Sequence, residues 1–156
     1  MVILSSENKK TMGIIDEKRL KNALMKKTIN EQETKSNDFV KLMEMLLHSR
    51  NQTHIYHLQT KSFSEHMALN TYYDSIGDLF DGLVESYQGK YGIIGKYNCD
   101  GFDSYTSNEQ VVNYFKKMTE EIEDLRQSVK ESYLQNQIDG VVELIYSTIY
   151  KLVNLK

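Results

Sequence analysis

The sequence predicts an all-α protein built as a four-helix bundle, and three observations carry that prediction. No proline occurs in 156 residues, so no position holds the residue that costs about 3 kcal/mol inside a helix. The chain is rich in Leu, Lys, Glu, Gln and Met, which are good helix formers. Four stretches place apolar residues at alternating steps of three and four. With 40% hydrophobic and 26% charged residues, the chain reads as a one-domain soluble protein large enough for its own core.

Composition also narrows function. The single cysteine, Cys99, forms neither an internal disulfide nor a cysteine cluster, which fits a reducing compartment. The opening MVILSSENKK has too short an apolar run for a signal peptide. No segment reaches the roughly 18 apolar residues of a membrane span. The expectation is a cytoplasmic protein without a membrane partner. No phosphate-loop motif and no nucleophile triad is present, so hydrolase, nucleotide-binding and transferase readings find no support.

The net charge of −3 is unevenly placed: residues 1–35 hold eight Lys/Arg against five acids, a net of +3, leaving −6 for the remainder. Residues 1–35 are therefore expected to form a basic extension, and residues 36–156 the bundle. Within the extension a short helix is expected near Asp16–Glu31, with Ile14, Leu20, Leu24 and Ile29 as a thin apolar line. Lys9, Lys10, Lys18 and Arg19 make it a candidate arm for DNA. A solvated or packed extension accounts for the same residues.

The first bundle helix is expected from about Asn37 to Leu58, capped by Ser36 or Asn37. Val40, Met43 and Leu47 start its apolar stripe, widened by Phe39, Leu42 and Leu46, but the series continues into Arg50, His54 and His57. A helix meant only for packing would continue with Leu or Ile. His48 lies off this series and reads as a surface residue. The second helix follows a short connection, Gln59–Phe63, so it must run antiparallel. Ser62 or Ser64 can cap it, and Ser62 with Glu65 has the form of a capping box. Leu69, Tyr73, Ile76, Phe80, Leu83 and Tyr87 form its buried seam. His66, Asn70, Asp74, Asp78, Asp81 and Glu85 fall within roughly 120° of one another on another face. Gly77 and Gly82 predict close packing, because glycine costs about 1 kcal/mol inside a helix.

Residues Gln88–Ser107 are rich in Gly, Tyr and Asn and break the helical pattern. They are long enough to return along the whole second helix, and Gly92–Ile93–Ile94 is expected to make a short helix within them. The third helix starts after Ser107, with Val111, Phe115, Met118, Ile122, Leu125 and Val129 as its seam. A break is expected around Gln135–Gly140, with Asp139 capping a fourth helix that buries Val142, Ile145, Ile149 and Leu152. Connections that are short, long and short make helices one and two antiparallel, three and four antiparallel, and two and three parallel. That is the ferritin-like arrangement.

Oxygen and nitrogen donors suit Fe(II). Metal sites inside such bundles use Glu-x-x-His on two helices, whereas here Glu85-Ser-Tyr-Gln88 has glutamine at the histidine position and all four histidines lie between residues 48 and 66. If these histidines are more than satisfied structural residues, a metal site must be built from the end of the first helix, the start of the second and acids contributed from elsewhere. In these residues the chain resembles the Dps-type miniferritins. His66-x-x-x-Asn70 followed by Asp81-x-x-x-Glu85 matches the family's second-helix pattern without a gap, and His54 lies twelve residues before His66 as in that family. His57-Leu58 also resembles the family's His-Trp turn with a shortened loop, so His54 and His57 both stand as the first-helix ligand. The segment HLQTKSFSEH is similar to small Dps-like proteins of tailed bacteriophages.

The resemblance implies non-haem iron as substrate. His54 or His57, His66 and the residue at position 70 of one subunit would face Asp81 and Glu85 of another. It also implies ferroxidase activity with iron storage in a homo-oligomeric shell, from a dimer upwards, and DNA protection. The sequence departs from the family at Asn70, where an aspartate is usual, and at Leu58, where tryptophan is usual. A neutral amide is a weaker ligand than a carboxylate. The alternative is a non-catalytic phage or accessory protein that kept the bundle as an oligomeric binding or structural module.

Overall fold

The computed structural model describes the backbone of residues 6–155 and the side chains of residues 17–31, 33 and 36–155. It is all-helical: α1 (Ser6–Gln59), α2 (Phe63–Tyr91), α3 (Asn108–Leu125), a single 3-10 turn (Arg126–Ser128) and α4 (Ser132–Asn154). Among the described residues there is no strand. The chain divides into two compact units, Met1–Asn37 and Asp38–Lys156.

α1 is one helix of 54 residues, where the sequence predicts a separate short helix followed by a fresh start near Asn37. The reason is local: neither proline nor glycine occurs between residues 14 and 59. Ser36 and Asn37 each cost only some tenths of a kcal/mol in a helix interior, about 0.5. They are therefore passed through rather than used as caps. Residues 17–31 are exposed throughout, including Leu20, Leu24, Met25 and Ile29. Ile14 of the expected apolar line lies outside the described side chains.

In the second unit, contacts fix the helix directions. Phe39 stacks on Tyr87 at 3.7 Å, Ser49 Oγ meets the Tyr72 hydroxyl at 2.8 Å, and His57 stacks on His66 at 3.6 Å. As the α1 number rises the α2 number falls, so these helices are antiparallel. Asn108 bonds the Leu152 carbonyl while Arg126 bonds Gln135, which makes α3 and α4 antiparallel as well. α2 packs most extensively on α4, and the pairs Leu79 with Gly140, Ser86 with Gln137 and Lys90 with Glu131 again run in opposite directions. It follows that α2 and α3 run parallel.

All four helices feed one core. α1 gives Phe39, Leu42, Met43 and Leu46, α2 gives Leu69, Tyr72, Ile76 and Leu83, α3 gives Val111, Phe115, Met118 and Ile122, and α4 gives Leu134, Ile138, Val141 and Ile145. Past Leu46 the buried line of α1 turns polar. Ser49 donates to the Leu46 carbonyl at 2.7 Å and Thr53 to the Ser49 carbonyl at 2.8 Å, so their burial leaves no orphaned hydroxyl. Half of the apolar stripe is thus exchanged for satisfied polar groups as the helix approaches its histidines.

Three expectations are corrected here. Residues 92–107 hold no short helix. Gly92 ends α2 with a φ of 93°, Ile93 is 86% exposed, and the Ile94 amide bonds the Gln88 side chain rather than a helical carbonyl. Side chains of α1 hold this crossover: Gln52 pairs with both the amide and the carbonyl of Asp103, Glu44 accepts from Asn98, and Gln59 accepts from the Tyr105 amide.

The second correction concerns the break before α4. It falls at residues 129–131, so Gln135–Gly140 is helical and Asp139 is no cap. Gln135 donates to the carbonyls of Arg126 and Val129, closing the end of α3 from outside, while Asp139 pairs with Arg126 at 2.7 Å. Third, a Cβ on Gly82 would meet nothing within 4 Å, and on Gly77 only the flexible Arg50 side chain at 3.5 Å. Neither glycine marks close packing within the chain.

Candidate metal site at the α1–α2 turn

Three residues join α1 to α2, and their hydrogen bonds set the geometry of the histidines. The Thr60 amide bonds the Tyr56 carbonyl, the Ser62 amide bonds the Thr60 hydroxyl, and Ser62 Oγ accepts from the Glu65 amide as an N-cap. The Glu65 carboxylate does not complete a reciprocal box. It is buried and accepts from the hydroxyls of Thr60 and Tyr105, at 2.5 and 2.8 Å. Burial, and then the Glu65 carboxylate, raise the Tyr105 phenol above its ordinary range. The turn, the start of α2 and the crossover are thereby tied together.

This turn brings His57 and His66 face to face. Their ring centroids are 3.6 Å apart at 26°. His57 Nδ1 lies 2.9 Å from the His66 carbonyl, and His66 Nδ1 lies 3.1 Å from the His57 carbonyl. A carbonyl only accepts, so Nδ1–H is the donor in both rings, and in the neutral ring the lone pair is on Nε2. Metal-bound histidines are commonly oriented in this way, by a carbonyl on the nitrogen that does not ligate.

His54 is exposed one turn back on α1, 5.8 Å from His57 between ring centroids. It stacks on Tyr73 at 4.4 Å, and the edge of Tyr73 meets His57 at 5.2 Å. The Tyr73 hydroxyl donates to Asn70 Oδ1, and Asn70 Nδ2 donates to Asp74, both at 2.8 Å. His54, His57, His66 and Asn70 therefore share one surface, joined through Tyr73. The sequence assigns Tyr73 to the buried seam and Glu65 to a cap. Only Tyr73's place three residues beyond Asn70 signals another use.

Asp81 and Glu85 are exposed on the same helix, 15 and 19 residues beyond His66. At 1.5 Å per residue that is about 22 and 28 Å along α2. No group of three or more His, Cys, Asp or Glu residues among the described residues is arranged to hold a metal within one chain. His48 belongs elsewhere: its Nε2 meets the Gly101 carbonyl at 3.0 Å and its ring stacks on Phe102, so it anchors the crossover. The turn is also flanked by large exposed apolar side chains, Leu58 at 69%, Phe63 at 78% and Met67 at 47%. Among the described residues no helix is long and apolar enough to cross a membrane.

The family model described as "Family of unknown function (DUF5856)" matches residues 57–152, and the chain belongs to this family. The match takes in His57, His66, Asn70, Asp81 and Glu85 and begins beyond His54. No curated protein and no solved structure matches the chain.

Proposed function

We propose that this member of the family is a ferritin-like, Dps-like homo-oligomer that binds Fe(II) as substrate at sites shared between two copies, then oxidises and stores it. The observation that carries the reading is the pair of reciprocal Nδ1–carbonyl bonds, which leaves Nε2 of His57 and His66 as the ligating nitrogens beside His54. The antiparallel, parallel, antiparallel order of the helices supports the ferritin-like part. About 22 Å along α2 separates Asp81 from His66, so in the proposed site Asp81 and Glu85 would come from another copy, as the resemblance implies. Exposed Leu58, Phe63 and Met67 give that copy an apolar surface around the site.

In this arrangement the imidazoles supply neutral nitrogen donors and the partner's two carboxylates offset the charge of the cation. Each Fe(II) gives up one electron to dioxygen or a peroxide, whose reduction consumes protons and yields water when complete. DNA contact through Lys9, Lys10, Lys18 and Arg19 belongs to the same proposal. Lys18 and Arg19 are exposed, and the side chains of Lys9 and Lys10 lie outside the described residues. The second reading, an oligomeric binding module without iron chemistry, draws on Asn70, whose amide is already engaged by Tyr73 and Asp74.

The test is oligomeric mass, metal retention and Fe(II) oxidation of the purified chain after stripping and reloading. The proposal expects an oligomer that speeds oxidation, and loss of that acceleration in Asp81→Ala/Glu85→Ala with the bundle intact. A monomer, or a rate untouched by the double change, overturns it. An oligomer that retains no iron supports the binding-module reading.

A further inference from the structure

The second unit carries a groove of about 800 Å³ that shares no residue with the candidate metal site, and every residue lining it belongs to that unit. One wall is α1, where Lys41, Glu44, Met45 and His48 stand at i, i+3, i+4 and i+7 and so share a face. The facing wall is α3, with Tyr114, Met118, Glu121 and Leu125 at alternating steps of four and three. The crossover from Asn98 to Asp103 is the third, held on α1 by the bonds of Asn98 to Glu44, Gly101 to His48 and Asp103 to Gln52. The volume falls within the range of roughly 300–1,000 Å³ that small organic ligands occupy, and three walls suit a compact molecule.

The chemistry of the lining is two-sided. Met45, Tyr114, Met118 and Leu125 give apolar contacts, with thioethers that adapt to the shape of a ligand. Against them stand the carboxylates of Glu44, Asp100, Asp103, Glu121 and Asp124, and the ammonium groups of Lys41 and Lys117. Lys41 lies 4.0 Å from Asp38, outside the lining, and Lys117 lies 3.8 Å from Glu121. Among the described residues no ion pair engages Asp100, Asp103 or Asp124. Burial raises the Tyr114 phenol above its ordinary range, and Tyr72, Tyr56, Glu121 and Asp103 add to the shift. The phenol therefore stays neutral, with a carboxylate from α3 and another from the crossover around it. A lining of this sign repels phosphates and concentrates cations, and an aromatic ring beside carboxylates favours an organic one.

We propose that this groove binds a small organic cation, an ammonium or guanidinium group carried on an apolar or aromatic body, with the charge between Asp103 and Glu121 beside Tyr114 and the body on Met45 and Met118. The site uses none of the histidines and neither Asp81 nor Glu85, so it stands or falls independently of iron binding. Its carboxylates supply the selection for charge, which salt weakens, and its apolar residues supply the rest of the contact.

Rhodamine 6G and fluorescein test this on the full-length chain, because the two dyes share one tricyclic aromatic frame and carry opposite charge. In a fluorescence-anisotropy titration at low salt, rhodamine 6G is expected to bind once per chain and about tenfold or more tighter than fluorescein. Asp103→Asn/Glu121→Gln is expected to weaken rhodamine 6G about tenfold. Glu109→Gln/Glu120→Gln removes the same charge from exposed α3 positions outside the groove and is expected to leave the affinity within about twofold. In the wild-type chain labelled with methyl-13C methionine, the dye should shift the Met45 and Met118 resonances and spare that of Met67 at the start of α2. That readout holds whatever the variants do to folding. Failure to bind rhodamine 6G, equal binding of the two dyes, equal effects of the two double variants, or a dye that leaves Met45 and Met118 unshifted each overturns the proposal.

Discussion

At the scale of single residues, the proposed site turns on Asn70, a neutral amide at the position where the Dps-type pattern has a carboxylate. Its amide links Tyr73 to Asp74 and brings no charge. Asn70→Asp is expected to tighten divalent-metal binding about tenfold, some 1.4 kcal/mol, in a titration followed by the absorption of Co(II). An unchanged affinity would put position 70 outside the ligand set. The histidines themselves were legible as a polar end on an apolar series. Their pairing was not, because the stack of His57 on His66 arises from a three-residue turn whose hydrogen bonds the spacing does not encode.

A second residue-scale expectation concerns acid. The Glu131 carboxyl is held at about 2, well below its ordinary 4.5, first by the hydrogen bond from Lys90 and then by that from Tyr91. A depressed carboxyl stabilises the fold above its unfolded value and loses that contribution as pH falls towards the folded one. Glu131→Gln should therefore lower the melting temperature at pH 7, and its deficit relative to wild type should shrink between about pH 4.5 and 2. A deficit constant across that window would remove the ionised carboxylate as its cause.

At the scale of elements, the helix starts at Ser62 and Ser107 were legible because the capping oxygen and its recipient lie within three residues. The end of α3 was not, because Gln135, in the first turn of the next helix, closes it. The same distance effect hid the crossover. Its irregular path is set by Gln52, Glu44 and Gln59 from α1, and the local sequence shows only that it is not helical. Gln52→Ala removes both bonds to Asp103 and should cost about 1–3 kcal/mol, with faster amide exchange in the crossover. Exchange as slow as in wild type would show the strap is not needed. Gly140 is a helix-interior glycine whose added Cβ would meet Leu79 at an ordinary 3.8 Å. Gly140→Ala should stabilise by up to about 1 kcal/mol, read by denaturant unfolding.

At the scale of the whole molecule, the all-α class followed from composition and periodicity, since neither needs a partner to be visible. The continuous α1 did not, because the competition between capping and continuing at Ser36 and Asn37 is decided by fractions of a kcal/mol, about 0.5. The proposed site is the hardest feature to read from one chain, because the residues it would combine lie about 22 Å apart on α2 and would meet only through assembly. That sharing is the central claim, and complementation tests it directly. His57→Ala/His66→Ala and Asp81→Ala/Glu85→Ala are each expected to lose stoichiometric metal binding while remaining oligomeric. Unfolding, mixing and refolding the two together should restore about a quarter of the wild-type sites, because half the dimers are mixed and each of those regains one intact site of two. No recovered binding, from variants that still assemble with each other, would contradict a site shared between subunits.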